Sequence, residues 1–137
     1  PLREADRFIA IAEQTGIKQI LIAPPNASDE TLAEIGEKSQ GYTYLLGRAG
    51  VTGAETAVSI PASELIDKLA QYKVAPPLLG FGISTPEQVT DAIKSGAAGA
   101  ISGSATVNII AANLDKPDVM LEKLKEFVSN MKAATHK

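Results

Sequence analysis

The sequence predicts an α/β fold: four parallel strands with helical crossovers, forming half of a closed (β/α)8 barrel. Three observations carry this. Segments with helical apolar periodicity alternate with short apolar runs along all 137 residues, the pattern of strand–helix units. The short runs are apolar throughout rather than alternating, as a sheet covered on both faces requires. The chain also opens on a helix with no strand before it, and only four strands are legible. Four parallel strands alone leave two unpaired edges. Membership of a barrel of about 250 residues closes them. The rival is a small flavodoxin-like domain with an overlooked edge strand, which would display a reversal in strand order.

Taken in order, residues 1–15 read as a helix with Ala5, Phe8, Ile9, Ile11 and Ala12 on a broad apolar stripe, stopped by Gly16. "IKQILIA" (17–23) reads as the first strand, closed by "PPNAS". Ser28 is placed to cap the next helix, with Asp29 and Glu30 favouring its N-terminus and Leu32 and Ile35 facing inward. That helix fades between Gly36 and Gly41, and "YTYLL" (42–46) is the second strand. After a glycine-marked loop, residues 62–72 form a helix with Leu65, Ile66 and Leu69 on one face. The third strand, 77–80, runs into "GFG". Thr85, Pro86 and Gln88 have the spacing of a capping box with proline at the first helical position, and Val89, Ala92 and Ile93 form that helix's inner side before Gly96 ends it. "AAGAIS" (97–102) is the fourth strand, followed by a short helix over 104–111 and a longer one over 117–132.

Composition narrows the function classes. The apolar fraction is 45% and the mean hydropathy +0.04, enough to build a core. Thirteen basic and sixteen acidic residues leave a net charge of −3, with no basic block interleaved with aromatics, which argues against nucleic acid. There is no cysteine, hence no disulfide framework and no thiolate centre, and the single histidine, His136, sits in the terminal tail. No metal-ligand spacing is present. No apolar run reaches the ~20 residues of a membrane span and no secretory pattern opens the chain, so a cytoplasmic location is expected.

In parallel α/β folds ligands sit at the carboxyl ends of the strands. Here those ends are "APPNAS" (23–28), "GRAGVTG" (47–53), "GFGIS" (80–84) and "SGSA" (102–105). "SGSA" enters a short helix whose first amides would point out of the strand ends, where a phosphate gains hydrogen bonds and the helix dipole. Gly103 permits close approach and Ser104 adds a hydroxyl. Taken alone, "SGS" is as well explained by an ordinary helix start with small residues relieving crowding. "GFG" at the preceding strand end tips the balance, because two adjacent glycine loops make one cradle. Barrels commonly hold phosphate beside their last two strands and a short extra helix.

"GRAGVTG" is a different object. Gly47, Gly50 and Gly53 flank Arg48 and Thr52, and about 14 residues (47–60) lack a clear pattern, as in lids and in inert exposed loops. A lid closing over an anionic substrate through Arg48 or Thr52 is the functional reading. Tyr44 shares a strand face with Tyr42 and is placed either in the core or on a pocket wall. Phe81 either walls a ligand's apolar group or plugs the barrel mouth. Asn26 follows Pro24-Pro25 in a rigid turn at the rim. Glu55 has no second carboxylate paired with it by spacing, and Glu87, Asp67 and Asp91 lie where helices need solvating charge.

"APPNAS", "GYTYLLGRAGVTGAE" (41–55), "APPLLGFGISTPEQV" (75–89) and "GAAGAISGSATVNII" (96–110), with "LEKLKEFVSNMKAA" closing, resemble in order the C-terminal half of the tryptophan synthase alpha subunit family, over residues 1–132. The resemblance implies a (β/α)8 barrel that cleaves indole-3-glycerol phosphate to indole and glyceraldehyde 3-phosphate. Indole is then passed to a beta subunit, which alone carries pyridoxal phosphate, in an α2β2 assembly. It implies that Gly82, Gly103 and Ser104 belong to the phosphate site and that Phe81 and Tyr44 line the substrate cavity. Arg48, Gly50, Thr52 and Gly53 would lie in the mobile loop, and Pro1 and Asn26 near the beta-subunit rim. The family's catalytic glutamate and aspartate lie in the first half of the barrel, before Pro1. The expectation is therefore a carbon–carbon lyase whose present segment is inactive alone, completed by the missing N-terminal half. The alternative is a non-catalytic phosphate-binding or assembly module.

Overall fold

The computed structural model describes residues 2–46 and 62–136. A 3-10 turn, Leu2–Glu4, leads into α1 (Ala5–Thr15), followed by β1 (Leu21–Ala23), α2 (Asp29–Lys38), β2 (Thr43–Leu46), α3 (Ala62–Gln71), β3 (Pro77–Gly80), α4 (Pro86–Lys94), β4 (Gly99–Ala100), α5 (Ser104–Ala111) and α6 (Pro117–Ala133). The strands form one parallel sheet in the order β1-β2-β3-β4. The order is sequential, with no reversal, so the flavodoxin-like alternative is wrong and the sheet is that of a half barrel.

The register sorts the strand residues into two rows. Ala23, Leu45, Leu79 and Ala100 stand opposite one another across the sheet. They pack with Leu32 and Ile35 of α2, Leu65, Ile66 and Leu69 of α3 and Ala92 of α4. Leu32, Ile35, Leu45 and Leu69 are fully buried, so this is the core. The alternate row, Ile22, Tyr44, Leu78 and Gly99, lies on the other face, and Ile22 is 56% exposed there.

The first strand is shorter than its apolar run suggests. Gly16 adopts the left-handed conformation (φ 73°), and Ile17 N–H still bonds the Ala12 carbonyl at 2.9 Å, so the helix end consumes the start of "IKQILIA". Ile17 is exposed and the ladder begins only at Leu21. The fourth strand is likewise two residues rather than six. Its bonding nevertheless runs further, from Ala98 N–H to Pro77 O and from Ile101 N–H to Leu79 O, both 2.8 Å.

Burial of the helices divides the molecule into a centre and two flanks. α2, α3 and α4 bury the faces the sequence assigns them. On α1 only Ala5 and Ala12 of the expected stripe are buried, while Phe8 and Ile11 are more than half exposed. α6 buries only Met131 and exposes Leu121 and Val128. The flanking helices thus carry apolar surface of the kind that interfaces cover.

Candidate functional site

β3 and β4 end side by side, and the chain leaves both through glycine-containing turns. Between these turns a cavity of about 470 Å³ opens at the carboxyl ends of the strands, lined by Phe81, Gly82, Gly103 and Ser104, with Tyr44 from β2 and Asn108 from α5 on its walls. Five residues singled out from sequence therefore meet around one hollow. A larger depression on α6, about 610 Å³, is lined by charged and other residues of that single helix, with no convergent groups from other elements. The strand-end cavity is the candidate site because residues from β2, both turns and α5 converge on it.

The glycines of the two turns serve different ends. A Cβ on Gly80 would collide with the Tyr44 ring, so this glycine lets the tyrosine lie flat across the sheet. Phe81 and Gly82 both take left-handed backbone, at φ 73° and 81°. For a phenylalanine that geometry costs on the order of 1–2 kcal/mol, a cost tolerated where surrounding structure fixes it. At Gly103, φ is −99°, a value open to any residue, and an added Cβ would have no neighbour within 4 Å among the described residues. Neither packing nor backbone geometry requires glycine there. What a side chain at 103 would alter is the space in front of the helix.

One hydrogen bond couples the turns: Ser102 Oγ donates to the Ile83 carbonyl at 2.7 Å. The two hydroxyls of "SGS" are thereby separated in role. Ser102 locks the loops together, whereas Ser104 faces the cavity.

α5 starts without a cap. Gly103 has no side chain, no acid stands in the first turn, and the amides of Ser104, Ala105 and Thr106 have no hydrogen-bond partner among the described residues. Those amides and the helix dipole, worth about half a positive charge, leave an electropositive mouth. None of the described residues lining the cavity is Asp, Glu, His, Lys or Arg. On these walls an anion would be held by backbone dipoles and hydroxyls, and the described lining offers no carboxylate or imidazole for proton transfer. Among the described residues no cluster of three or more His, Cys, Asp or Glu could hold a metal, and no helix is long and apolar enough to cross a membrane.

The α4 end of the site is closed. Thr85 Oγ1 accepts from Gln88 N–H at 3.4 Å, and Gln88 Oε1 accepts from the amides of Ser84 and Thr85 at 2.7 and 3.0 Å and from Ser84 Oγ at 3.1 Å. This is the capping box expected from the spacing. Glu87 beside it has its carboxyl held below the ordinary range, first by its own backbone N–H and then by the Thr85 hydroxyl.

Asn26 is exposed in the turn after β1, where Ala27 N–H bonds the Pro24 carbonyl at 3.1 Å, and it does not line the cavity. Pro1, Arg48, Gly50, Thr52 and Gly53, and with them the expected lid, lie outside the described residues. Sequence reasoning missed Asn108 and Ser84. For Asn108 the signal was available: it stands four residues after Ser104, hence on the same helical face.

Comparison with known proteins is consistent across sequence and structure. The family profile "Tryptophan synthase alpha chain" matches residues 1–136. The tryptophan synthase alpha chain of Vibrio parahaemolyticus is 59% identical over 137 residues, covering all of this chain and 51% of that protein. Its counterpart in Francisella tularensis is 56% identical over 135 residues, or 98% of this chain and 50% of that protein. The chain thus spans about half the length of these relatives. A crystal structure of the tryptophan synthase complex from Pyrococcus furiosus superposes with a TM-score of 0.76 at 30% identity, covering 97% of this chain and 51% of that one.

Proposed function

The chain belongs to the tryptophan synthase alpha chain family, and from that premise we propose that it forms the phosphate-binding half of an indole-3-glycerol phosphate lyase in tryptophan biosynthesis. The observation that carries the proposal is the mouth of α5. Uncapped amides, a glycine that protein packing does not require, and the Ser104 hydroxyl converge on one cavity at the strand ends. That combination suits a phosphate monoester. Phe81 and Tyr44 supply aromatic walls beside it, suited to the indole ring.

Cleavage of this substrate breaks the bond between indole C3 and the glycerol carbon bearing a hydroxyl. A proton is added at C3 and the hydroxyl proton is removed, giving indole and an aldehyde. Acid and base must both be positioned for this. The described lining of the cavity holds neither, and we assign them to the first half of the barrel, contributed by residues preceding Pro1 or by a companion chain. The exposed apolar faces of α1 and α6 and the two open sheet edges are where that half would pack. Residues 47–60 would close the site, with Arg48 and Thr52 over the substrate. Asn26 would face a pyridoxal phosphate-bearing beta subunit in an α2β2 assembly, the stoichiometry given for the complex of the Pyrococcus furiosus relative.

Turnover of indole-3-glycerol phosphate tests the division of labour. The 137-residue chain alone should be inactive, and activity should emerge when the first half of the barrel and a beta subunit are added. Full activity from the isolated chain would overturn the assignment of acid and base to the other half. A structure of the assembled barrel with glycerol 3-phosphate should place the phosphate against residues 82 and 102–105. Phosphate density elsewhere would overturn the cradle.

A further inference from the structure

We infer that Asn108 is a further binding residue of the cavity, giving its side-chain amide to a peripheral oxygen of the bound phosphate ester; this rests on the phosphate reading above. A phosphate monoester presents three terminal oxygens, each able to accept more than one hydrogen bond. The amides at the start of α5 all approach from one side. Of the polar side chains on the cavity wall, Ser84 already donates its hydroxyl hydrogen to Gln88 Oε1. Tyr44 is wedged against Gly80. Ser104 and Asn108 remain, one helical turn apart on α5 and both lining the cavity.

Helical side chains lean toward the N-terminus of their own helix, so the Asn108 carboxamide reaches back over the turn that carries Ser104. It makes no hydrogen bond to another described residue and is exposed, although it sits in the most apolar of the described helices, among Val107, Ile109 and Ile110. Fold stability gives no reason for it, since alanine is the better helix former. Among the described residues that line the cavity none is a lysine or arginine, so on these walls a neutral donor at this position adds to the count of hydrogen bonds.

The test labels this chain with ¹⁵N, assembles it with the first half of its barrel, and titrates in glycerol 3-phosphate. The side-chain amide signals of Asn108 should shift with the same dissociation constant as the backbone amide of Ser104. Asn108→Ala should weaken binding about 10–15-fold, the lower end for a hydrogen bond to a charged group, as suits a partly solvated site. Asn108→Asp should weaken it further. An exposed, unbonded side chain makes both variants foldable. Asn108 signals that stay still while Ser104 shifts, with Asn108→Ala binding within twofold of wild type, would overturn the inference alone. Binding unaffected by Gly103→Asp would overturn the phosphate reading and this inference with it.

Discussion

Two helices begin beside the same cavity and dispose of their first-turn amides in opposite ways. α4 opens on Thr85, whose backbone is extended (φ −129°, ψ 155°) as a capping residue's should be, and the Thr85–Gln88 box satisfies amides at both ends. Glu87 adds a carboxylate of the chain's own to that terminus. α5 opens on Gly103 in helical geometry (φ −99°, ψ −69°), with neither a capping side chain nor an acid. At the rim of one cavity, the first terminus is finished by the protein and the second has no cap among the described residues. A helix N-terminus serves stability or a ligand, because the same few amides cannot do both.

Gly103→Asp should break this contrast with the largest effect. The added Cβ meets no atom of the described residues, so unfolding free energy should change by no more than about 0.5 kcal/mol, and a negative charge at a helix start acts in the favourable direction. Binding is another matter. The carboxylate occupies the anion's space, and like charges about 4 Å apart repel by on the order of 4 kcal/mol at an intermediate dielectric. Glycerol 3-phosphate affinity should therefore fall by at least ~100-fold, measured by calorimetry on the assembled barrel. Parallel losses of stability and affinity would mean that the glycine serves the fold.

Ser104→Ala comes next. It removes one hydroxyl from the cavity and leaves the backbone donors in place. A hydrogen bond to a charged acceptor is worth about 1.5–3 kcal/mol, or roughly 10- to 150-fold; water replacing the hydroxyl should hold the loss of affinity near the lower end, while the unfolding midpoint stays put. An unchanged affinity would mean that Ser104 contributes only its backbone.

The sealed terminus should respond in the opposite sense. Thr85→Ala strips the acceptor from Gln88 N–H and should cost about 1 kcal/mol of stability, read from urea unfolding. Glycerol 3-phosphate affinity should remain within twofold of wild type. A large loss of affinity at constant stability would show that α4 also serves the ligand and would erase the distinction.

This contrast was half legible in the sequence. A capping box is a local signal, so the threonine, proline and glutamine of "STPEQ" announced the start of α4, and Ser28 announced that of α2, where its hydroxyl accepts from Thr31 N–H at 3.2 Å. An uncapped start has no signature of its own. "SGS" gained meaning only from "GFG", which the register of β3 and β4 brings alongside. The central helices were read correctly because they bury a complete face. The ends of the sheet were not, because β1 and β4 each pair on one side only, and strand length there depends on partners rather than composition. Which hydroxyl of "SGS" ties the loops and which faces the cavity was a matter of long-range contact, since Ser102 and Ile83 are nineteen positions apart.

Glu87 should sharpen the comparison with the smallest effect, and only in acid. Its carboxyl lies below the ordinary value of 4.5 because its own backbone N–H, and then the Thr85 hydroxyl, favour the ionised form. For a group whose folded value is depressed, the stabilisation is fully present above the unfolded value and disappears as pH falls through the folded one. Glu87→Gln should therefore unfold at a slightly lower temperature than wild type at pH 7. The difference should shrink below about pH 4.5, once the wild-type carboxyl protonates. The side chain is fully solvated, so the shift should be small and should weaken further with added salt. Affinity for glycerol 3-phosphate should not follow it, because Glu87 does not line the cavity. Melting curves from pH 7 to 3 that run parallel for the two proteins would show that the carboxylate adds nothing to the finish of α4, leaving the capping box alone to explain why that terminus is closed.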